Sequence, residues 1–277
     1  MKIYISQYSG FCVGVERAIK IAREYTKKYK NIYIIEDVVH NQQVSEELRR
    51  WGIKKVKKIE EIPQGKFFLI NAHGVGKETY QKAKRRNLKI IDTTCPIVKN
   101  IHKEVINLER EGYTVVIIGD KNHAETKGIL KNTKRGIVIE NVENLRRIKE
   151  RIPPKIGCVS QSTQAIENVV SVVCELTKIA QEIKFIKTIC REIEKRQQEI
   201  KKLSKKVEAV IIVGSRKSAN TTRLFNIARS INPHTFFVET PQEIKNKWKK
   251  FKSIGIAGGT STPLSLLKKT EEKLNDL

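Results

Sequence analysis

Three cysteines of this chain, Cys12, Cys95 and Cys190, occupy the same kind of station. Each follows a run of β-type residues and a short turn, and each opens a stretch of helical periodicity. The segments are MKIYISQYSGFC-VGVERAIKIA, LKIIDTTC-PIVKNIHKEVINL and IKFIKTIC-REIEKRQQEIKKL. A thiol at a helix N-terminus meets unpaired N–H groups and the positive end of the dipole, which favours its thiolate. The threefold recurrence predicts a repeated module that brings three thiolates to one point. Such a set could hold zinc or an iron–sulfur cluster. Structural zinc takes four protein ligands, usually two of them close in sequence, and no such pair is present. A cubane can be held by three cysteines with one iron left open for a substrate, and Cys-Pro is a common flank of cluster ligands. The open-iron cluster is therefore the favoured reading. Cys158, in KIGCV, and Cys174, in SVVCEL, are expected to fill a strand interior and an apolar helix face.

Of the five histidines, His102 in KNIHKEV and His234 after a proline read as structural or solvated. His40, His73 and His123 each follow a strand end in a polar loop. With Ser162, Thr163, Ser218, Asn220 and Ser261 they form a cradle of donors suited to phosphate oxygens. Gly258-Gly259-Thr260-Ser261 allows close backbone approach to such a ligand, and no Walker A loop is present. Glu125 is the one acidic residue of the His123 loop. Beside a dianionic ligand a carboxyl group gives up its proton less readily and can deliver it at neutral pH.

The elements that must position these residues alternate β and α three times. A buried-type strand follows each cysteine helix: NIYIIEDVV, YTVVIIGD and VEAVIIVG. After it come a polar loop, a helix and a short strand, clearest as RGIVIE and HTFFVE. Another strand, KFFLI, KIGCV or SIGIA, opens onto a second polar loop, and a helix returns the chain to the strand before the next cysteine. In the third repeat that strand is the N-terminal MKIYIS. The expected fold is α/β: three pseudo-symmetric domains with mainly parallel sheets around a central iron–sulfur site. Lobe 1 is predicted to run over 13–95, lobe 2 over 96–189, and lobe 3 over 190–277 with the strand 1–12.

The chain has 277 residues, enough for several small domains, and its apolar runs are far too short to span a bilayer. It begins directly with a strand-like segment instead of a leader, so a reducing cytoplasm without membrane attachment is expected; a monomer is taken as the starting assumption. The net charge is +25 and only 6% of residues are aromatic. Lysines are scattered without aromatic interleaving and no base-reading motif occurs, so nucleic acid is not an expected partner.

The stretches GFCVGVERAI, VVHN, NAHGVG, DTTCPIVKNIH, GDKNHAETKG, SQST, TIC…RQ, VGSRKSAN and GGTSTP run end to end in one order. In them the sequence resembles the 4-hydroxy-3-methylbut-2-enyl diphosphate reductases, which catalyse the last step of the non-mevalonate isoprenoid pathway. The resemblance implies a [4Fe–4S] cluster, one per chain, on Cys12, Cys95 and Cys190. It implies an allylic diphosphate held by His40, His73, His123, Ser218, Asn220 and Ser261, whose hydroxyl meets the open iron. It also implies a proton relay through Glu125 helped by Ser162, and single electrons from ferredoxin or flavodoxin. These donors are acidic, which suits a basic surface. The chain departs from the family in having Ser162 for a usual Thr, Ala219 for Ser, Ala124 for Pro, and Glu192-Ile193 for Ala-Thr. These departures define an alternative, a cluster-bearing relative that senses or binds without turnover. A basic nucleic-acid binder with a structural metal ranks behind both.

Overall fold

The structure, a computed structural model, describes residues 1–39 and 41–277. After the strand β1 (Lys2–Ile5) the chain runs α1 (Val13–Lys28), β2 (Ile32–Ile34), α2 (Gln42–Arg50), β3 (Ile53–Lys55), β4 (Phe67–Ile70), α3 (Lys77–Arg85) and β5 (Lys89–Asp92). It continues as α4 (Pro96–Arg110), β6 (Thr114–Ile118), α5 (Ala124–Leu130), β7 (Ile137–Ile139), α6 (Val142–Ile148), β8 (Lys155–Ser160), α7 (Ile166–Leu176) and β9 (Glu182–Phe185). The last stretch is α8 (Arg191–Lys206), β10 (Ala209–Val213), α9 (Ala219–Ile231), β11 (Thr235–Val238), β12 (Ser253–Gly258) and α10 (Leu264–Asn275).

The strands form three four-stranded sheets ordered β3-β2-β4-β5, β7-β6-β8-β9 and β11-β10-β12-β1. Every pairing among the described residues is parallel. The order is the same in each sheet, and β1 takes in the third the place that β5 and β9 take in the first two. The fold is thus α/β with three parallel-sheet domains, as the alternation of elements predicts.

Strands covered on both faces must be apolar on both, so they read as continuous runs. In β10 all five residues of AVIIV are buried. Ile211 and Val213 point into a core with Leu266, Leu267 and Trp248. Val210 and Ile212 point the other way, against Ile200, Leu203 and Leu224. Around β6 and β8, Ile117 and Val159 pack with Ile101, Val105 and Leu108 of α4. Phe68 and Ile70 of β4 pack with Ile62, Ala83 and Leu88.

Two compact units contain the sheets. One comprises Met1–Glu16, 41–45 and Arg191–Leu277, and holds the β11-β10-β12-β1 sheet. The other comprises Arg17–Val39 and Glu46–Cys190, and holds the remaining two sheets.

Candidate active site

In the larger unit, Cys95 and Cys190 stand where the edge strands end and the next helices begin. Asp92, the last residue of β5, folds the DTTC turn by accepting the Thr94 N–H at 2.9 Å on Oδ1. Lys99 sits 2.7 Å from its other oxygen, and Tyr80 donates to that oxygen at 3.1 Å. Burial alone would push this carboxyl up, but Lys99 and Thr94 outweigh it and hold the group below the usual aspartate range. Tyr80, buried beside that charge, is pushed up to about 12. Cys95 then caps α4, with Pro96 at the first helical position where no N–H is needed.

Each cysteine backbone is fastened to the loop after a central strand. The Cys95 N–H donates to the Ala72 carbonyl at 3.0 Å, and that of Cys190 to the Ser162 carbonyl at 3.0 Å. In the smaller unit the Cys12 N–H donates to the Thr260 carbonyl at 3.2 Å. Ala72, Ser162 and Thr260 are each the second residue past their strand. The next residues, His73, Thr163 and Ser261, therefore occupy equivalent places, which places these three predicted contacts at one recurring station.

Glu125 lies in the first turn of α5 and is only 2% exposed. Both carboxylate oxygens are engaged by one residue: the Ser162 N–H donates at 2.5 Å and the Ser162 Oγ at 2.8 Å. Ser162 thus links the Glu125 carboxylate to the Cys190 backbone. His123 is the N-cap of α5, and its Nδ1 accepts the Glu125 N–H at 3.2 Å. An accepting Nδ1 leaves the proton of neutral imidazole on Nε2, where it serves as a donor. The His73 ring meets the His123 ring edge to face, with centroids 5.2 Å apart. The larger unit accordingly gathers Glu125, Ser162, His123 and His73, with Cys95 and Cys190 tied to the same loops.

Sequence reasoning missed Gln161, which is fully buried. Its Oε1 accepts from the Asp120 N–H at 2.9 Å and the Thr126 Oγ1 at 3.2 Å, and its Nε2 donates to the Thr163 Oγ1 at 2.9 Å. It therefore joins the Glu125 loop to the Ser162 loop, and leaves the Thr163 hydroxyl proton available for an acceptor. Its place between two strand-end loops was the available signal.

The smaller unit carries the hydroxyl and amide residues. Ser218 caps α9, accepting from the Thr221 N–H at 3.4 Å. Asn220 is 2% exposed, yet neither its Nδ2 nor its Oδ1 has a hydrogen-bond partner among the described residues. A buried amide with both functions unpaired has lost its hydration without compensation, and a ligand oxygen that accepted from the Nδ2–H would restore the donor half. Ser261 is buried nearby in sequence to Thr262, whose Oγ1 donates to the Val213 carbonyl at 3.0 Å. Gly259 is required here, because a Cβ would come 2.0 Å from the Thr221 Oγ1.

The expectation for Cys174 is corrected. It is exposed, because the buried stripe of α7 runs through Val169, Val172 and Leu176 and leaves position 174 facing outward. Cys158 is buried as expected, and burial pushes its thiol up to about 12. Of the two readings of His102 the structural one holds: it is half-buried with its Nε2 inside, and burial takes it down to about 4, against the pull of Asp92. Ile193 is buried in the core face of α8 and Glu192 pairs with Lys195 at 3.3 Å, so this departure from the family packs without conflict. His40 lies outside the described residues.

Cys12, Cys95 and Cys190 are all partly exposed. Among the described residues no three His, Cys, Asp or Glu side chains gather closely enough for a single metal ion. A cubane makes a different demand, since each thiolate takes its own iron and the sulfurs need not crowd one point. No described helix is long and apolar enough to cross a membrane.

Comparison with known proteins agrees with this fold. The 4-hydroxy-3-methylbut-2-enyl diphosphate reductase of Aquifex aeolicus is 36% identical over 281 residues, covering 99% of this chain and 96% of the relative. That of Dictyoglomus turgidum is 38% identical over 279 residues, covering 100% and 97%. The solved structure of the E-1-hydroxy-2-methyl-but-2-enyl-4-diphosphate reductase from Plasmodium falciparum matches with a TM-score of 0.93 at 28% identity, covering 98% of this chain and 87% of that one. A structure of (E)-4-hydroxy-3-methyl-but-2-enyl diphosphate reductase matches with a TM-score of 0.71 at 35% identity over the whole of both chains. The family model of the LytB protein matches residues 3–275, and with relatives of this similarity spanning it end to end, the chain belongs to the LytB protein family.

Proposed function

We propose that this protein is a 4-hydroxy-3-methylbut-2-enyl diphosphate reductase. It takes up two electrons and two protons, expels the allylic hydroxyl as water, and gives isopentenyl and dimethylallyl diphosphates. The [4Fe–4S] cluster, held by Cys12, Cys95 and Cys190, supplies the electrons one at a time and a Lewis-acidic iron. Its three cysteines are partly exposed at helix starts, where the thiolate is favoured.

The remaining work belongs to the side chains. His123, by its Nε2–H, binds diphosphate oxygens together with His40, His73, Thr163, Ser218, Asn220 and Ser261. Glu125 carries the proton for the leaving hydroxyl, and the Ser162 hydroxyl passes it on. Ferredoxin or flavodoxin delivers the electrons, in the cytoplasm, to a monomer of three lobes, 13–95, 96–189 and 190–277 with 1–12.

The observation that carries the reading is the buried Glu125–Ser162 pair, whose serine carbonyl also accepts the Cys190 N–H. Glu125→Gln keeps the side-chain shape and removes the acid. It should retain iron and bind substrate while turnover falls by about 10²–10⁴-fold, the usual worth of a positioned general acid. Cys12→Ala, Cys95→Ala and Cys190→Ala should each lower the iron content of anaerobically purified protein. Near-normal turnover of Glu125→Gln, or full iron in the cysteine variants, would overturn the assignment.

A further inference from the structure

The residue two places before a cysteine is tied, in two of the three repeats, to the last residue of the adjacent strand by a threonine hydroxyl. Thr93 Oγ1 donates to the Ile70 carbonyl at 2.6 Å, at the end of β4. Thr188 Oγ1 donates to the Ser160 carbonyl at 2.7 Å and accepts the Ser160 N–H at 2.7 Å, at the end of β8. Before Cys12 the corresponding residue is Gly10, which has no side chain to make the tie. Its φ is +94°, and a Cβ there would lie 2.8 Å from Leu264, so threonine is excluded by both backbone and space.

The Ser9 Oγ accepts the Gly258 N–H at 3.0 Å, and a guanidinium, not a hydroxyl, ties the Gly258 carbonyl. Arg196 of α8, 4% exposed, donates from Nη2 to the Gly10 carbonyl at 2.9 Å. From Nη1 it donates at 3.2 Å to the carbonyl of Gly258, the last residue of β12. Three residues on, along the same face, Glu199 accepts the Gln7 N–H at 2.7 Å, the Tyr8 N–H at 3.0 Å and the Ser6 hydroxyl. The places equivalent to Arg196 in the other cysteine helices are Ala18 and Ile101, both fully buried and apolar.

We propose that Arg196 is the positioning residue for Cys12, standing in for the threonine of the other two repeats and adding a permanent charge at this one station. The inference rests on reading Cys12 as a cluster ligand. A planar fork can hold two carbonyls at a fixed separation, and it cannot lose its proton. The Cys12 segment is thereby fastened to the loop that leads into Thr260 and Ser261. Positive charge near a cluster stabilises its reduced form, so the charge raises the reduction potential.

Amide hydrogen exchange on the full chain tests the positioning apart from the cofactor. In Arg196→Gln, exchange at the Cys12 and Gly258 amides should quicken about tenfold, as for the loss of one or two local hydrogen bonds. The Cys95 and Cys190 amides, held beside threonine ties, should keep their rates. An equal rise at all three cysteines, as from general unfolding, or no rise at all would overturn the proposal. On the iron-loaded protein, the midpoint potential should fall in Arg196→Gln and return towards wild type in Arg196→Lys, which keeps the charge but not the fork. An unchanged potential in Arg196→Gln would remove the electrostatic role. Wild-type protein that binds no iron would instead refute the reductase assignment, and the exchange pattern would still decide whether Arg196 fastens the segment.

Discussion

His102 is placed where burial disfavours its charged form. Its Nε2 is buried without a hydrogen-bond partner among the described residues, and burial lowers its pKa from 6.5 to about 4. Asp92 pulls in the other direction and does not prevail. Because the folded value is the lower one, the unfolded chain binds the proton first as pH falls. Stability is therefore full above about pH 6.5 and declines as pH drops from there towards about 4. Between pH 7 and pH 5 this one group should cost about 2 kcal/mol. Urea unfolding at those two values, on wild type and His102→Gln, isolates it from the carboxylates that titrate in both proteins. The same pH dependence in the two proteins would show that folding does not lower the pKa of His102.

At the scale of elements, the turn between β4 and α3 joins the site to that half-buried histidine. Gly74, next to His73, has φ +73°, and a Cβ there would lie 2.8 Å from Thr94 Cγ2 and 3.0 Å from His102 Cε1. Thr94 in turn precedes Cys95. Gly74→Ala meets both an unfavourable backbone region and a close neighbour, and should destabilise the protein by about 1–3 kcal/mol. Displacing His73 should also weaken substrate binding, seen as a raised KM with iron content retained. An unchanged melting temperature would mean that the turn yields at no cost. The elements themselves were legible from the sequence because parallel strands buried on both faces leave unbroken runs such as AVIIV, and helices between them set the alternation. The cysteine stations were legible because each begins a helix. The ties that fasten them were not: Thr188 to Ser160, or Arg196 to Gly10, join residues far apart in the chain that no periodicity relates. Cys174 was misread for a related reason, since an apolar stretch on a helix does not say which residue lies at the edge of its buried stripe.

At the scale of the whole molecule, 55 lysines and arginines stand against 30 acidic residues, and the ion pairs resolved are mostly between exposed partners. Such pairs add little to stability, so the excess charge is better understood through what it attracts than through what it holds together. If electrons come from an acidic protein, the encounter is steered by this field over about 10 Å at 0.1 M salt and only about 3 Å at 1 M. The rate constant for reduction by a ferredoxin should then fall about tenfold or more across that range. Reduced methyl viologen, a small cation, is repelled by the same field, and screening should leave its rate unchanged or raise it. The opposite responses of the two donors separate steering from any effect of salt on the enzyme itself. A parallel decline with both would place the salt dependence in the protein's own chemistry and deny the surface charge a part in electron delivery.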